Sequence, residues 1–115
     1  MDNQFAWAED MNCAVTVCDA EGIIIYMNRL SRATFAPDGG TLTGQSLIPC
    51  HNEASRAKIA HMLATGESNS YTITTSKGVL KMIYQTPWRH PDGTVGGLVE
   101  ISMPLPGLPL PHFDR

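Results

Sequence analysis

The chain has a strand-like pattern of apolar and polar positions near its start, a helical pattern in the middle and a strand-like pattern again afterwards. Residues 13–27 (CAVTVCDAEGIIIYM) form two apolar runs on either side of the sequence DAEG at 19–22. Gly22 can supply the positive φ of a tight turn, so the segment predicts a β-hairpin. The second run, Ile23 to Met27, is almost wholly apolar. It favours a strand that is covered on both faces or lies at the middle of the sheet.

Two helices are predicted after the hairpin, which ends at the turn-forming amide of Asn28. Residues 29–35 lose the strand pattern before the break PDGG at 37–40, and they predict one short helix. A longer helix, of about twelve residues, is predicted to end at Gly66, which serves as its C-cap. The apolar side of this helix would contain Ala54, Ala57, Ile59, Ala60, Met62 and Leu63.

Both ends of the chain differ from this central part. Residues 1–11 predict a short amphipathic cap helix, because Phe5, Ala8 and Met11 stand three residues apart. Residues 104–115 (PLPGLPLPHFDR) are rich in proline, which cannot donate to a strand ladder, and they predict an extended tail. The candidate N-caps of the cap helix are Asp2 and Asn3.

Three β-rich segments complete the central part, at 70–76, 79–88 and 95–103, with turns at Lys77-Gly78 and at 89–93. Together with the hairpin and the helices they predict an α+β domain over residues 12–103. Its architecture is a single five-stranded antiparallel sheet with short helices packed on one face.

Composition narrows the function classes. Hydrophobic residues make up 43% and charged residues 17%, which is typical of a globular domain, and no apolar run is long enough to span a membrane. The net charge is −3 with scattered Lys and Arg, which argues against nucleic-acid binding. The first residues have no secretory pattern, so we expect a cytoplasmic location. Cys13, Cys18 and Cys50 are an odd number without a CxxC pair, which predicts free thiols. Cys13 and Cys18 should face opposite sides of the sheet.

The order of several motifs resembles the PAS domains, a family of sensory and interaction modules, over residues of about 11–103. AVTVCDAEGIIIYMN at 14–28 is similar to the opening hairpin, TGQSL at 43–47 to the start of the central helices, and HPDGTVGGLVEIS at 90–102 to the closing segment. PCHNEASRAKIAHML at 49–63 further resembles a subgroup whose central helix begins CHxxxSxxKI. The resemblance implies a pocket between sheet and helices, a homodimer and a separate signalling partner protein.

The resemblance also allows each cofactor of the family to be considered by position. The slot of the reactive cysteine in flavin photosensors is taken by Leu47, which disfavours flavin. The slot of the proximal histidine in haem oxygen sensors is taken by Ser55. Pro49-Cys50 resembles the chromophore-bearing segment of photoactive yellow protein, but residues 30–43 contain neither the tyrosine nor the glutamate partner, which disfavours a coumaroyl chromophore. The cofactor therefore stays unknown, with haem still possible through another histidine.

Cys50 and His51 are the first candidate site residues. A thiol at a helix N-terminus has its pKa lowered by the helix dipole, and the imidazole of His51 is the candidate metal ligand, for haem iron. Ser55 lies on the same helical stripe as His51. The alternatives are that Cys50 is a small buried hydrophobic residue and that His51 caps the helix. Met62 and Tyr84 complete the candidate set as walls of a soft pocket, although both are explained as well by core packing or, for Tyr84, by a dimer contact.

No motif of a hydrolase, a P-loop enzyme or a dinucleotide-binding enzyme is present, so we expect no enzymatic activity. Two hypotheses remain. One is a sensor that binds a small molecule or cofactor between sheet and helices and relays it through dimer or partner contacts. The other is an interaction module that dimerises without a bound ligand. A ligand retained on purification would favour the first, and an empty protein with a concentration-dependent dimer would favour the second.

Overall fold

A computed structural model describes residues 4–36, 40–46 and 53–115 of the chain. The elements are a 3₁₀ turn at Ala6–Ala8, β1 at Ala14–Asp19, β2 at Ile24–Met27, α1 at Arg29–Phe35, α2 at Glu53–Thr65, β3 at Asn69–Thr74, β4 at Leu80–Arg89 and β5 at Val95–Pro104. The strands form one antiparallel sheet in the order β2-β1-β5-β4-β3. The predicted α+β architecture is therefore confirmed.

The β1–β2 hairpin closes as its sequence predicts. The carboxylate of Asp19 accepts hydrogen bonds from the backbone N–H groups of Glu21 at 2.9 Å and Ile23 at 3.0 Å. Gly22 has a φ of 80° and donates its N–H to the carbonyl of Asp19 at 3.0 Å. The turn is therefore fixed by local interactions: an aspartate side chain accepts hydrogen bonds from its backbone N–H groups, and a glycine adopts the positive φ that it requires.

The sequence predicts a strand that is covered on both faces or lies at the middle of the sheet; β2 lies at the edge, so the second of these alternatives is wrong. Its outer edge is covered by the segment 44–46 instead of a strand: Gly44 donates to the carbonyl of Ile24 at 2.7 Å, and Ile24 donates to the carbonyl of Gln45 at 2.8 Å. Ile25 is still 37% exposed. The strand is apolar because irregular segments cover it. In sequence, a covered edge strand of this kind looks the same as a central strand.

The two faces of the sheet have different covers. We call the face that packs against α1 and α2 the inner face, and the opposite one the outer face. On the inner face, Cys18 and Leu98 pack against Ile59 and Met62 of α2. On the outer face, a second apolar cluster includes Cys13, so the two cysteines do face opposite sides, and both are free thiols. Its buried members are Ala8, Cys13, Val15 and Val17.

The N-terminal segment lies on the outer face as a 3₁₀ turn, not as the predicted amphipathic helix. Its carbonyl groups are bonded to the rest of the domain: Asn28 Nδ2 donates to the carbonyl of Ala8 at 2.9 Å, and the N–H of Arg29 donates to that of Glu9 at 3.2 Å. These contacts compete with a helical hydrogen-bond ladder. Asp2 and Asn3, the predicted caps, lie outside the described residues.

Asn28 is the N-cap of α1 and joins the covers of both faces. It is fully buried, and its carboxamide makes four hydrogen bonds. The Oδ1 atom accepts from the N–H groups of Val15 at 2.9 Å and Ser31 at 3.0 Å, while Nδ2 donates to the carbonyls of Ala8 and Cys13, both at 2.9 Å. Every donor of this amide is satisfied. One side chain thus fixes the N-terminal segment, β1 and α1 to each other.

The indole of Trp88 crosses the outer face from β4 to β1. Its Nε1 atom donates to the carbonyl of Cys18 at 2.9 Å, and its ring lies over Gly96 and Gly97 of β5. A Cβ atom at Gly97 would collide with the Cys18 carbonyl oxygen and stand 2.7 Å from Trp88 Nε1. The two glycines are therefore required by the close approach of the indole, which connects three strands.

α2 ends as predicted at Gly66, which has a φ of 80° and donates to the carbonyl of Met62 at 2.8 Å. Its predicted apolar side is wrong in part. Ile59 and Met62 are buried and Leu63 is half-buried, but the three alanines on that side are exposed. The helix therefore contacts the sheet through a narrow stripe near its C-terminal half. Beyond β5, residues 106–115 are exposed and form no helix or strand.

Candidate functional site

A row of polar side chains crosses the inner face of the sheet. The strand register aligns Thr16 of β1 with Glu100 of β5, Glu100 with Gln85 of β4, and Gln85 with Asn69 of β3. Residues directly opposite each other in antiparallel strands point to the same face. We call these four residues the polar row. It lies between apolar residues of the same face, which makes it the chemically distinct part of that face.

Hydrogen bonds orient the members of the polar row. Asn69 Nδ2 donates to Gln85 Oε1 at 3.1 Å, and Gln85 Nε2 donates to Glu100 Oε2 at 3.3 Å. The amide of Gln85 is thus directed with its NH₂ group towards the carboxylate. At the other end, the hydroxyl groups of Thr16 and Ser31 of α1 share a hydrogen bond of 2.6 Å. Hydrogen bonds therefore link β3, β4 and β5 at one end of the row, and β1 to α1 at the other.

α2 covers one side of the polar row. A cavity of about 10 Å³ lies there, close to the minimum for one water molecule. Burial raises the pKa of the Cys18 thiol on its wall, so this thiol stays protonated and unreactive at neutral pH. The cavity is lined by Thr16, Cys18, Ile59, Gln85, Leu98 and Glu100. These residues alone do not form a pocket of the size of haem.

The other side of the polar row, towards β3, is open. β3 is the second edge strand, and its inner-face residues Tyr71 and Ile73 are 43% and 40% exposed. Tyr71 lies opposite Ile83, one row away from Gln85 and Glu100. The pKa of its hydroxyl is raised, first by burial and then by the negative charge of Glu100. The electrostatic field of Glu100 therefore reaches the exposed part of the inner face.

A second, open groove of about 750 Å³ lies at the edge of β2, beside the N-terminal segment. Its charged walls are already paired. Arg32 holds the carboxylate of Glu9, which also accepts from Tyr26 Oη at 2.7 Å, and Asp10 pairs with Arg29 at 3.1 Å. These bonds lower the pKa of Glu9 to about 2, with Arg32 as the main cause. We therefore assign this region to attachment of the N-terminal segment.

The predicted site residues are only partly brought together. Cys50 and His51 lie outside the described residues, so their roles as thiol and metal ligand stay predictions. Ser55 is part of α2, and its side chain is not among those described. Met62 is fully buried and contacts the inner face beside Cys18. Tyr84 pairs with Ile101 of the outer-face cluster and is 36% exposed, so it cannot line a pocket on the inner face.

Four methionines of the domain do not line one common pocket, because they are divided between the two faces. Met27 and Met62 are buried, with Met27 opposite Thr16 of the inner face, whereas Met82 pairs with Met103 of the outer-face cluster. Sequence reasoning missed the polar row. The signals available in the sequence were the single glutamine of β4, in LKMIYQTPWR, and the single glutamate of β5, in VGGLVEISMP. Only the strand register shows that Gln85 and Glu100 are neighbours.

Among the described residues, no group of three or more His, Cys, Asp or Glu side chains is arranged to hold a metal ion. In the same part of the chain, no helix has the length and apolar character needed to cross a bilayer.

The domain is of the α+β class with one open antiparallel sheet. Helices α1 and α2 lie on one face of this sheet, over the polar row. The sequence profile of the PAS fold family matches residues 8–105. The chain therefore belongs to the PAS fold family. No curated protein sequence matches it.

Solved structures of low sequence identity share the fold. A sensory box sensor histidine kinase from Vibrio cholerae is 16% identical, with a TM-score of 0.67 and 87% of each chain covered. The PAS domain of BvgS from Bordetella pertussis is 13% identical, with a TM-score of 0.69, and the match covers 90% of this chain and 84% of that one. The phage VqmA–DPO complex is 15% identical, with a TM-score of 0.70, and the match covers 89% of this chain and 51% of that one. This chain thus spans about half the length of VqmA.

Proposed function

We propose that this PAS domain is a sensor that binds a small molecule on the inner face of its sheet. The observation that supports this proposal is the polar row. Ligand sites combine mostly apolar walls with a small number of polar groups that fix the orientation of the ligand, and the polar row beside the apolar residues of α2 has this composition. The fold shared with a sensor histidine kinase and with VqmA, which was solved with DPO, agrees with this function. We propose that the domain itself has no catalytic activity.

The bound state would reach a second copy or a separate signalling protein through α2. Its buried contact with the sheet is made mainly by Ile59, Met62 and Leu63, and Ile59 lines the small cavity together with Thr16, Gln85 and Glu100 of the polar row. A ligand on the row would press against Ile59 and, through it, against this cluster. Elements with few buried apolar contacts open at low free-energy cost, which suits them to relay binding.

Native mass spectrometry of the freshly purified protein tests the proposal. We expect a mass increment that survives native ionisation and is lost on denaturation, either at once or after incubation with a small-molecule extract of cells. Methyl NMR should then show a shift at Met62 and Ile59, with little change at Val15 of the outer face. No increment with any extract, together with unchanged Met62 and Ile59 signals, would reject the sensor.

The hypothesis that His51 ligates haem is tested separately. A visible absorption spectrum is recorded before and after addition of haemin, with His51→Ala as the variant and His61→Ala as the matched control on α2. A Soret band that is lost only in His51→Ala would assign the iron ligand. A spectrum of free haemin in every sample would remove haem from the candidate ligands.

An interaction module without a ligand is the second candidate function. The observation that favours it is the size of the cavity beneath α2, about 10 Å³, because the side chains there already fill most of the space. Tyr84 would then contribute to a dimer contact on the outer face. Sedimentation over a concentration series distinguishes the two: an empty protein with a concentration-dependent dimer favours the module.

A further inference from the structure

Glu100 has a charge for which the described part of the chain provides no counter-ion. It is half-buried at the centre of the inner face, and none of the ion pairs within the described residues includes it. Its side chain accepts a hydrogen bond from the neutral amide of Gln85, at a long 3.3 Å. A carboxylate removed from water is costly unless it is paired and hydrogen-bonded. This position therefore favours a ligand that supplies positive charge.

The groups around Glu100 complement a cation in other ways. Asn69 and Gln85 already bond each other, and Gln85 directs its NH₂ group to Glu100 Oε2, so the hydrogen bond from this network uses one of the two carboxylate oxygens. Tyr71 places a partly exposed aromatic ring on the same face, two strands away from Glu100 and one residue pair further along the sheet. A carboxylate attracts an ammonium group by ion pairing, and an aromatic ring on the same face adds a cation–π contact to a ligand that reaches both.

We propose that the inner face recognises its ligand through a protonated amine, which forms an ion pair with Glu100 and lies against the ring of Tyr71. An ammonium group has three donors and no acceptor, so it matches the carboxylate oxygens of Glu100. The ligand reaches this position from the open side at β3, which α2 does not cover. The same negative charge disfavours ligands with a carboxylate or phosphate. This inference rests on the proposed function and specifies the chemistry of its ligand.

Three fragments of one skeleton test the charge preference: benzylamine, benzyl alcohol and benzoate, which are cationic, neutral and anionic at neutral pH. Saturation-transfer NMR measures their binding to the native protein, and methyl NMR at Ile59 and Met62 locates it. The variant Glu100→Gln removes the charge with little change of shape. Glu21→Gln is the matched control, since it makes the same change on an exposed turn.

We expect benzylamine to bind the native protein and Glu21→Gln alike, and at least tenfold more weakly to Glu100→Gln, with a smaller loss for Tyr71→Leu. If benzyl alcohol or benzoate bound near Ile59 and Met62 with the same affinity as benzylamine, the amine preference would be overturned, and the proposed sensor function would remain. Benzylamine bound equally by native protein and Glu100→Gln would also overturn it. Absence of binding by all three fragments would overturn it too, and the extract experiment above would then decide the sensor separately.

Discussion

The two faces of the sheet are built for different purposes. The outer face is closed by aliphatic side chains, by the N-terminal segment and by the indole of Trp88. The inner face carries the polar row under a helix that contacts it through a narrow stripe. Closely packed aliphatic and aromatic side chains on one face thus support a face with polar groups on the other. In this domain, stability and the candidate function are assigned to opposite faces.

The largest effect should come from Asn28, which fixes the covers of both faces together. Asn28→Ala leaves two N–H groups and two carbonyls without their partner, and unsatisfied buried groups cost about 1–3 kcal/mol each when water does not replace the bond. We expect the free energy of unfolding to fall by about 4 kcal/mol, measured by chemical denaturation. The matched control, Asn12→Ala, changes an exposed asparagine and should shift stability by about 0.5 kcal/mol or less. Similar losses in both variants would contradict this role.

The next effect should come from the outer face. In Gly97→Ala the new methyl group meets the carbonyl of Cys18 and the indole of Trp88, so strands β1, β4 and β5 must separate. We expect a loss of about 3 kcal/mol in the free energy of unfolding, at the upper end of overpacking costs. Gly40→Ala is the control, because, apart from its chain neighbours, no atom of the described residues lies within 4 Å of the position that its methyl group would take. If Gly97→Ala unfolds like the native domain, the close approach of the indole is not a constraint.

A smaller loss is expected on the inner face. Met62→Ala removes a fully buried side chain, but the narrow contact of α2 allows the helix to settle towards the sheet. We expect a loss of about 2 kcal/mol, at the low end for a buried methionine. Hydrogen exchange should show the loss first in the amides of α2 and only later in β1 and β5. Met11→Ala, at an exposed methionine, is the control, and equal acceleration in all strands would argue against the independent opening of α2.

The smallest effect concerns the attachment of the N-terminal segment and depends on pH. The pKa of Glu9 is about 2 in the folded domain and 4.5 in the unfolded chain. Since the folded value is lowered, the stabilisation is complete above pH 4.5 and is lost as the pH falls towards 2. Solvent exposure of this pair limits its size to about 1 kcal/mol or less.

Glu9→Gln checks this window. Its stability should depend less on pH between 4.5 and 2 than that of the native domain, whereas Glu21→Gln should retain the native profile. Thermal unfolding at a series of pH values measures both. Parallel profiles for Glu9→Gln and the native domain would show that the bonds from Arg32 and Tyr26 do not perturb the carboxylate.

Local signals predicted most of the fold. Turn residues and hydrophobic periodicity predict the hairpin, both helices and the three later strands. These signals come from residues close together in the sequence. The apolar run of β2 does not distinguish a central strand from a covered edge strand, because cover by the segments at 5–8 and 44–46 gives the same run. The alanines of α2 have the spacing of a buried side, but a small side chain at the right spacing does not establish that the sheet extends beneath it.

The candidate site was harder to predict because it depends on strand register. A shift of one residue moves every side chain of a strand to the opposite face, so the sequence alone does not decide whether Tyr84 or its neighbour Gln85 lies on the inner face. The polar row also joins residues that are distant in sequence: Glu100 lies on β5, and the other members, Thr16, Asn69 and Gln85, lie on three other strands. The roles of Cys50 and His51 stay predictions from the sequence.

The indole of Trp88 also gives the domain an internal optical reporter. The chain has two tryptophans, and Trp7 is 68% exposed, so Trp7→Phe would leave Trp88 as the single source of tryptophan emission. Its Nε1 is bonded to Cys18, whose side chain lies on the opposite face against α2. A change in the colour or lifetime of this emission therefore signals, from the outer face, that the strand beneath the candidate site has moved.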